Sequence, residues 1–336
     1  MSLDTVSELL RAVRLSGAVF FTVEGSAPWA AEALPSREIG PELLPGAEHV
    51  IEYHVVTSGT CWGGVVGEPP LRLEAGDVIV FPQGDAHVIS STPGMRAIPD
   101  YAAVRAATKY PVVLRCQGGG PERTELICGF LGCDARPFNP LLSTLPRTIH
   151  VRGGREGRIE QLVRIALAES EGPIAGSEAV LARVSELLFV EVVRRYLASL
   201  PQQEVGWLAG LRDEGVGRAL AALHHRPAHP WDLDALAREV GMSRSVLAER
   251  FTHFLAVPPM QYLARWRMQL AANLLATTSM GLAEIADRVG YGSEAALSRA
   301  YKRWVGVAPA DWRRGRRGEA AGPRGDLAGA RGSSTV

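Results

Sequence analysis

Two histidines and a carboxylate raise the question of chemistry in the N-terminal half. The stretch HVIEYHVVTSG carries His49, Glu52 and His54, and the run GDVIVFPQGDAH, from Gly76 to His87, places His87 behind Pro82 and Gly84. On facing strands, imidazole nitrogens and a carboxylate could hold a divalent metal. Equally, His54 and His87 could be ordinary barrel residues, one lining a cavity and one tied down by a hydrogen bond. No H-x-H pair accompanies them. The sequence therefore leads us to expect no metal, no cofactor and no catalytic residue, and leaves His54 and His87 as candidate effector-binding residues. Four cysteines, Cys61, Cys116, Cys128 and Cys133, add a second chemistry. Cys116, Cys128 and Cys133 could form a redox switch, because an accessible thiolate is readily oxidised. They could also be small buried hydrophobes, whereas a zinc site favours tighter C-x2-C pairs.

A third chemistry belongs to the last third of the chain. Arg244, Ser245, Ala248 and Glu249, then Glu294, Ala295, Ser298 and Arg299, fall on the outward positions of two amphipathic segments. Arginine pairs with guanine, glutamate accepts from the cytosine amino group and alanine meets the thymine methyl, so such a set can read base edges. Lys302, Arg303, Arg313 and Arg314 suit phosphates.

The elements that must position these side chains occur twice, over 233–254 and 282–305. Aligned on their glycines, Leu233 matches Leu282, Ala237 matches Ala286, Val240 matches Val289 and Gly241 matches Gly290. With one extra residue in the second turn, Leu247 and Phe251 correspond to Leu297 and Tyr301. Each copy reads as a short helix, a glycine turn, and a second helix opened by Ser243 or Ser293. That is the helix-turn-helix pattern, whose second helix enters the major groove. Leu247, Phe251, Leu297, Tyr301 and Trp304 are expected to face inward. Between the copies, Pro259 suits a first helical position, and Tyr262, Leu263, Trp266, Leu270, Leu274 and Leu275 form one stripe. A rod of roughly 27 Å results, close to one turn of DNA at about 34 Å.

Residues 218–317 resemble the C-terminal DNA-binding domain of the AraC/XylS family of transcription regulators. The resemblance rests on SEAALSRAYKRWVGVAPADWRR, with Arg299, Tyr301, Lys302, Arg303, Gly306, Pro309, Trp312 and Arg313 in place, and on PPMQYLARWRM between the copies. It implies one unit reading adjacent major-groove faces, with base-contacting side chains at the outward positions named above. Charge agrees. Residues 218–317 hold fifteen Lys/Arg against eight Asp/Glu, a balance of +7, while everything before Arg218 balances at −7. A basic module attracts phosphates.

The N-terminal part reads as β-rich to about residue 115, in short runs such as AVFFTV, LRLEAGDVIVFP and AHVIS separated by Gly/Pro turns. The run from Gly76 to His87 resembles the second motif of cupin barrels, G-x5-P-x-G-x2-H. The first cupin motif is degraded: Glu52 falls where the family's glutamate would, but Glu48 takes the place of its second histidine. The layout resembles the cupin-like sensor domain of many AraC-type regulators, and CGFLGCDARPFNPLLSTLP is similar to that subgroup, some of whose members sense oxidants through cysteine. Residues 155–200 read as helical, with Leu181, Val184, Leu187, Leu188, Glu191, Val192 and Tyr196 around one amphipathic helix. The resemblance implies that this helix packs on its mate in a dimer; the alternative is docking on the barrel.

The expected fold is α+β and multidomain: a cupin-like β-barrel sensor (1–150), a helical dimerisation segment (151–200), a linker (201–217), an all-α double helix-turn-helix domain (218–317) and a disordered tail (318–336) with almost no large apolar residues. No apolar run of about twenty residues would span a membrane, and Met1–Leu15 lacks the marks of a signal peptide, so a cytoplasmic protein is expected. The function expected is sequence-specific transcription regulation without enzymatic activity. Its partners would be operator DNA (double-stranded), a second copy in a homodimer, an unknown small-molecule effector, and RNA polymerase if it activates, with no membrane. Two competing readings are a cupin-type metalloenzyme, a dioxygenase or isomerase, fused to a DNA-binding module, and an architectural DNA binder without a ligand.

Overall fold

Strand β3 (His49–Ser58) is buried along most of its length because it pairs on both sides. Its neighbours in the computed structural model, which describes residues 5, 7, 15–102, 112–134, 137–153, 157–172, 174–201 and 205–320, are β6 (Val78–Phe81) and β9 (Arg123–Cys133). With β1 (Leu15–Ser26), β8 (Val112–Gln117) and β10 (Ile149–Val151) they form a sheet of order β10-β6-β3-β9-β1-β8. A smaller sheet of order β2-β7-β4-β5 faces it, built from β2 (Ala30–Ala33), β4 (Thr60–Val65), β5 (Leu71–Glu74) and β7 (His87–Ser90). The pairings are antiparallel apart from β1 with β8.

Side chains two apart on a strand share a face, and on β3 this sorts the residues cleanly. Val50 and Val56 pack between the sheets with Phe81, Ile89 and Phe130, whereas Ile51, Tyr53 and Val55 pack outward among the helices. The β-rich part therefore runs to Val151 rather than about residue 115. CGFLGC, which the sequence places after the barrel, is the end of the strand between β3 and β1, and from Leu126 onward that strand is buried because both of its faces are covered.

After α1 (Ser36–Leu43), the cover of the larger sheet comes from α2 (Arg158–Glu171) and α3 (Ser177–Ser199). Leu181, Val184, Leu188, Phe189, Val192 and Val193 of α3 are buried, against α2, β1, β9 and β10. Tyr53 and Ser185 share a hydrogen bond between their hydroxyls. The apolar stripe expected to face a second copy is thus spent on the barrel, and Leu187 lies outside it, 54% exposed.

The remaining helices are α4 (Trp207–Arg212), α5 (Glu214–His225), α6 (Leu233–Val240), α7 (Arg244–Leu255), α8 (Pro259–Thr277), α9 (Leu282–Arg288), α10 (Glu294–Val305) and α11 (Pro309–Ala320). Most of the expected linker 201–217 is therefore helical. Trp207 is 2% exposed, and the Asp213 carboxylate caps α5 by accepting from the Gly215 and Val216 amides at 3.1 and 2.9 Å. Residues 202–204 lie outside the described residues, as does the expected tail from residue 321; residues 318–320 complete α11. Among the described residues no helix is long and apolar enough to cross a membrane.

Candidate nucleic-acid interface and barrel cavity

One local device launches both α7 and α10. Gly241 and Gly290 turn the chain at positive φ, 68° and 80°, a conformation that side chains disfavour. At Gly290 a Cβ would also sit 2.7 Å from Ala228 Cα. Ser243 and Ser293 then cap the second helices, accepting from the Val246 and Ala296 amides at 3.3 and 3.2 Å. Ala237 and Ala286 are buried where the paired helices cross, and Leu247, Phe251, Leu297 and Tyr301 are fully buried beneath. Trp304 corrects the expectation. The buried stripe of α10 is Leu297 and Tyr301, four residues apart, and Trp304 stands at its edge, 36% exposed, with the Arg265 guanidinium 5.4 Å from its ring.

The outward set emerges as expected in most members. Arg244, Ser245, Glu249, Glu294, Ala295, Arg299, Lys302 and Arg303 are exposed, and Ala248 and Ser298 half-buried. Arg244 lies 3.5 Å from Asp234 across the first turn. Arg299, Lys302 and Arg303 form no ion pair among the described residues, so their charges face outward unspent. Arg313 is the exception. Its guanidinium donates to the carbonyls of Leu275, at the end of α8, and Met280, at 3.3 and 2.7 Å. It pins α11 to the end of α8, where helix carbonyls lack partners, rather than standing free for phosphate. Sequence reasoning had no signal for Arg267, which donates to the Pro227 and His229 carbonyls at 2.8 and 2.9 Å and lies over Tyr291, locking the two units together.

Between the two sheets lies a cavity of about 310 Å³ that brings Glu52, His54, His87, Cys116 and Cys128 together. Cys133 packs on the opposite face of the larger sheet. His87 reaches the cavity because Gly84, at φ 64°, turns the chain against Ser36, where any Cβ would collide. Its Nδ1 donates to the Asp85 carbonyl at 2.9 Å, leaving Nε2 as an acceptor. His54 Nε2 therefore donates to His87 Nε2 at 2.7 Å, and the Cys128 thiol donates to His54 Nδ1 at 2.8 Å. Each proton in this relay has one direction, and both imidazoles are neutral. Burial agrees: it drives His54 well below the usual histidine range and His87 down to about 4.

The same burial pushes the Cys128, Cys133 and Cys116 thiols up, opposite to the lowered pKa of an oxidant-reactive cysteine. A cupin metal does not fit this donor set. The two imidazole nitrogens facing the cavity bond to each other, and His49 is spent on the Pro82 carbonyl at 2.6 Å. Among the described residues no group of three His, Cys, Asp or Glu side chains is disposed to hold a metal ion.

Glu52 is the cavity residue that the candidate set missed. It is 1% exposed, burial raises its pKa well above the carboxylate range, and its Oε1 has no hydrogen-bond partner. Its coincidence with the cupin glutamate position was the available signal.

Comparison with known proteins matches residues 4–198 to the cupin family and residues 236–315 to the helix-turn-helix domain family. A protein named as an AraC-like transcription regulator in Streptomyces antibioticus is 35% identical over 80% of this chain and 88% of its own. The HTH-type transcriptional regulator AlkR of Acinetobacter baylyi is 25% identical over 93% of this chain and 99% of its own. Among solved structures, the DNA-binding domain of AdpA in complex with a target DNA is 29% identical, covering 34% of this chain and all of that one, with a TM-score of 0.31.

Proposed function

The chain belongs to the AraC-type transcription regulators that join a cupin domain to a helix-turn-helix domain, and on that premise we propose how it works. It regulates transcription by binding DNA. Helices α7 and α10 enter successive major grooves, with Arg244, Ser245, Ala248, Glu249, Glu294, Ala295, Ser298 and Arg299 at base edges and Lys302 and Arg303 on phosphates. The observation that carries this reading is the pair of serine-capped helices, each with the start of its first turn exposed, mounted on α8.

The N-terminal domain senses a small molecule in its cavity and has no turnover of its own. The neutral, mutually bonded His54 and His87 supply neither a metal site nor a free base, which favours sensing over a cupin enzyme. High thiol pKa values favour a packing role for Cys116, Cys128 and Cys133 over oxidant sensing. The regulator acts in the cytoplasm as a homodimer, and contacts RNA polymerase where it activates.

Genome-wide mapping of bound sites, followed by anisotropy titrations of the full-length protein on a recovered site, tests this. Affinity should fall steeply with salt, because each neutralised phosphate releases counterions. No DNA affinity at low salt would overturn the reading.

A further inference from the structure

We propose that the barrel cavity takes an uncharged, mainly apolar small molecule whose single hydrogen-bonding head, a hydroxyl or an amide, pairs with Glu52. The proposal rests on the reading of this domain as a sensor and gives that sensor a ligand class.

The walls fix the body of the ligand. Phe21, Trp29, Ile89, Tyr101, Leu126 and Phe130 line the cavity, and an apolar enclosure of about 310 Å³ suits a compact hydrophobic molecule oriented by few polar contacts. The polar lining then fixes the head. His54, His87 and Cys128 use their donors and acceptors on one another and on the Asp85 carbonyl. Beside the Trp29 indole nitrogen, which also lacks a partner, the described lining group left over is Glu52. Its Oε2 lies 3.8 Å from His87 Nε2, too far for a hydrogen bond, and Oε1 has no partner. A buried polar atom without a partner is rare and costly, and a ligand head supplies what the protein does not.

Charge excludes the ionic alternatives. Among the described residues, the charged groups lining the cavity besides Glu52 are Glu32, Asp100 and Arg115. Arg115 is held by Glu24 at 3.0 Å, Glu32 accepts from Arg96 at 2.7 Å, and Asp100 accepts from the Ala102 amide. Among the described residues that line the cavity, no cation lacks an anionic partner, so none stands ready for an anionic head. A cationic head would require an ionised Glu52 among neutral imidazoles, with both charges desolvated. A protonated carboxyl instead offers one donor and one acceptor, which matches an alcohol or an amide.

The test is calorimetry on the full-length protein with four probes of one chain length: 1-octanol, octanamide, octanoate and octylammonium. Octanol and octanamide should bind, and the two ions should bind at least about ten-fold more weakly, since a charge buried without a partner is costly. Glu52→Leu should weaken the alcohol and the amide about ten-fold, the scale of one lost hydrogen bond in a buried site. Glu52→Gln, which keeps a donor and an acceptor, should stay within about three-fold of wild type. Ala31→Phe, which fills the cavity, should lose every probe. Tighter binding of either ion, undiminished binding to Glu52→Leu, or no binding of any probe overturns the proposal. The regulator reading is scored separately, by DNA affinity of the same protein without probe. DNA binding with no probe binding sinks the ligand class alone.

Discussion

The indole nitrogen of Trp207 donates to the Tyr262 hydroxyl at 2.7 Å, which ties α4 to the long helix between the two reading units. The same hydroxyl shares a hydrogen bond with His224 Nε2 at 2.8 Å. His224 in turn stacks on Trp266 at 3.9 Å. The ring of Phe138, from the barrel side, meets Tyr262 edge-on at 5.5 Å, and the Phe138 amide donates to Gln269 at 3.0 Å. The DNA-reading half is thus built from α4 onward and touches the chain that leaves the barrel.

A fragment of residues 206–320 should accordingly be more stable than one of 218–317. The shorter piece loses Trp207, at about 3–5 kcal/mol for a buried aromatic, and the Asp213 cap, at about 1 kcal/mol. Urea midpoints of the two fragments decide the matter, and equal midpoints would remove α4 from the fold unit.

Base and phosphate contacts separate by their signatures. Arg299→Ala should relax preference at one operator position by about 1–3 kcal/mol, whereas Lys302→Ala should weaken all sequences alike and lower the salt slope by about 1. Arg313→Ala should leave that slope unchanged and lower stability, by about 1.5–3 kcal/mol for hydrogen bonds made by a charged group. Anisotropy at several salt concentrations, with melting curves, reads all three variants; a reduced slope for Arg313→Ala would return it to the phosphate contacts.

Stability should fall on acidification. Burial lowers His87 from its ordinary 6.5 to about 4 and His224 to about 3, and shifts His54 the same way. The unfolded chain takes up these protons near pH 6.5 while the folded chain does not. Their contribution is therefore present above pH 6.5 and lost as pH falls toward 4 and below, on the order of 3 kcal/mol for His87 and more for His224, with His54 acting in the same direction. Glu52 has the opposite sign. Its raised pKa means that stability is lost as pH rises above 4.5, where the unfolded carboxyl ionises and the folded one does not. Glu52→Gln should then melt higher than wild type at pH 8. A wild-type profile flat from pH 7 to 4, or a Glu52→Gln protein that gains nothing at pH 8, contradicts this account.

Adjacent leucines on α3 should behave differently. Leu188, 4% exposed, packs on the barrel, so Leu188→Glu should unfold the domain or cost several kcal/mol, as a buried unpaired charge does. Leu187 stands outside that core, and Leu187→Glu should leave the melting temperature within about 2 °C while converting a dimer to monomers. Light scattering of wild type and Leu187→Glu at micromolar concentration separates the cases; a monomeric wild type ends the dimer proposal.

The sequence alone determined whatever is local. The glycine and serine spacing in both copies dictates a helix, a turn and a capped helix, because φ signs and caps are properties of a few neighbouring residues, and the outward positions of α7 and α10 follow from helical periodicity. The run from Gly76 to His87 likewise carried its own turns. What only the tertiary structure decided depends on partners distant in the chain. Arg313 looked like a phosphate ligand until the Leu275 and Met280 carbonyls were found at its guanidinium. Trp207 sat in a supposed linker until Tyr262 gave its indole a partner. The apolar stripe of α3 was consistent with either a dimer or the barrel, since a stripe records burial but not against what. Glu52, His54, His87 and Cys128 form one buried group only because β3, β7 and β9 come together across two sheets. The relay that neutralises the histidines, and the unpartnered oxygen it leaves on Glu52, exist only in that assembly.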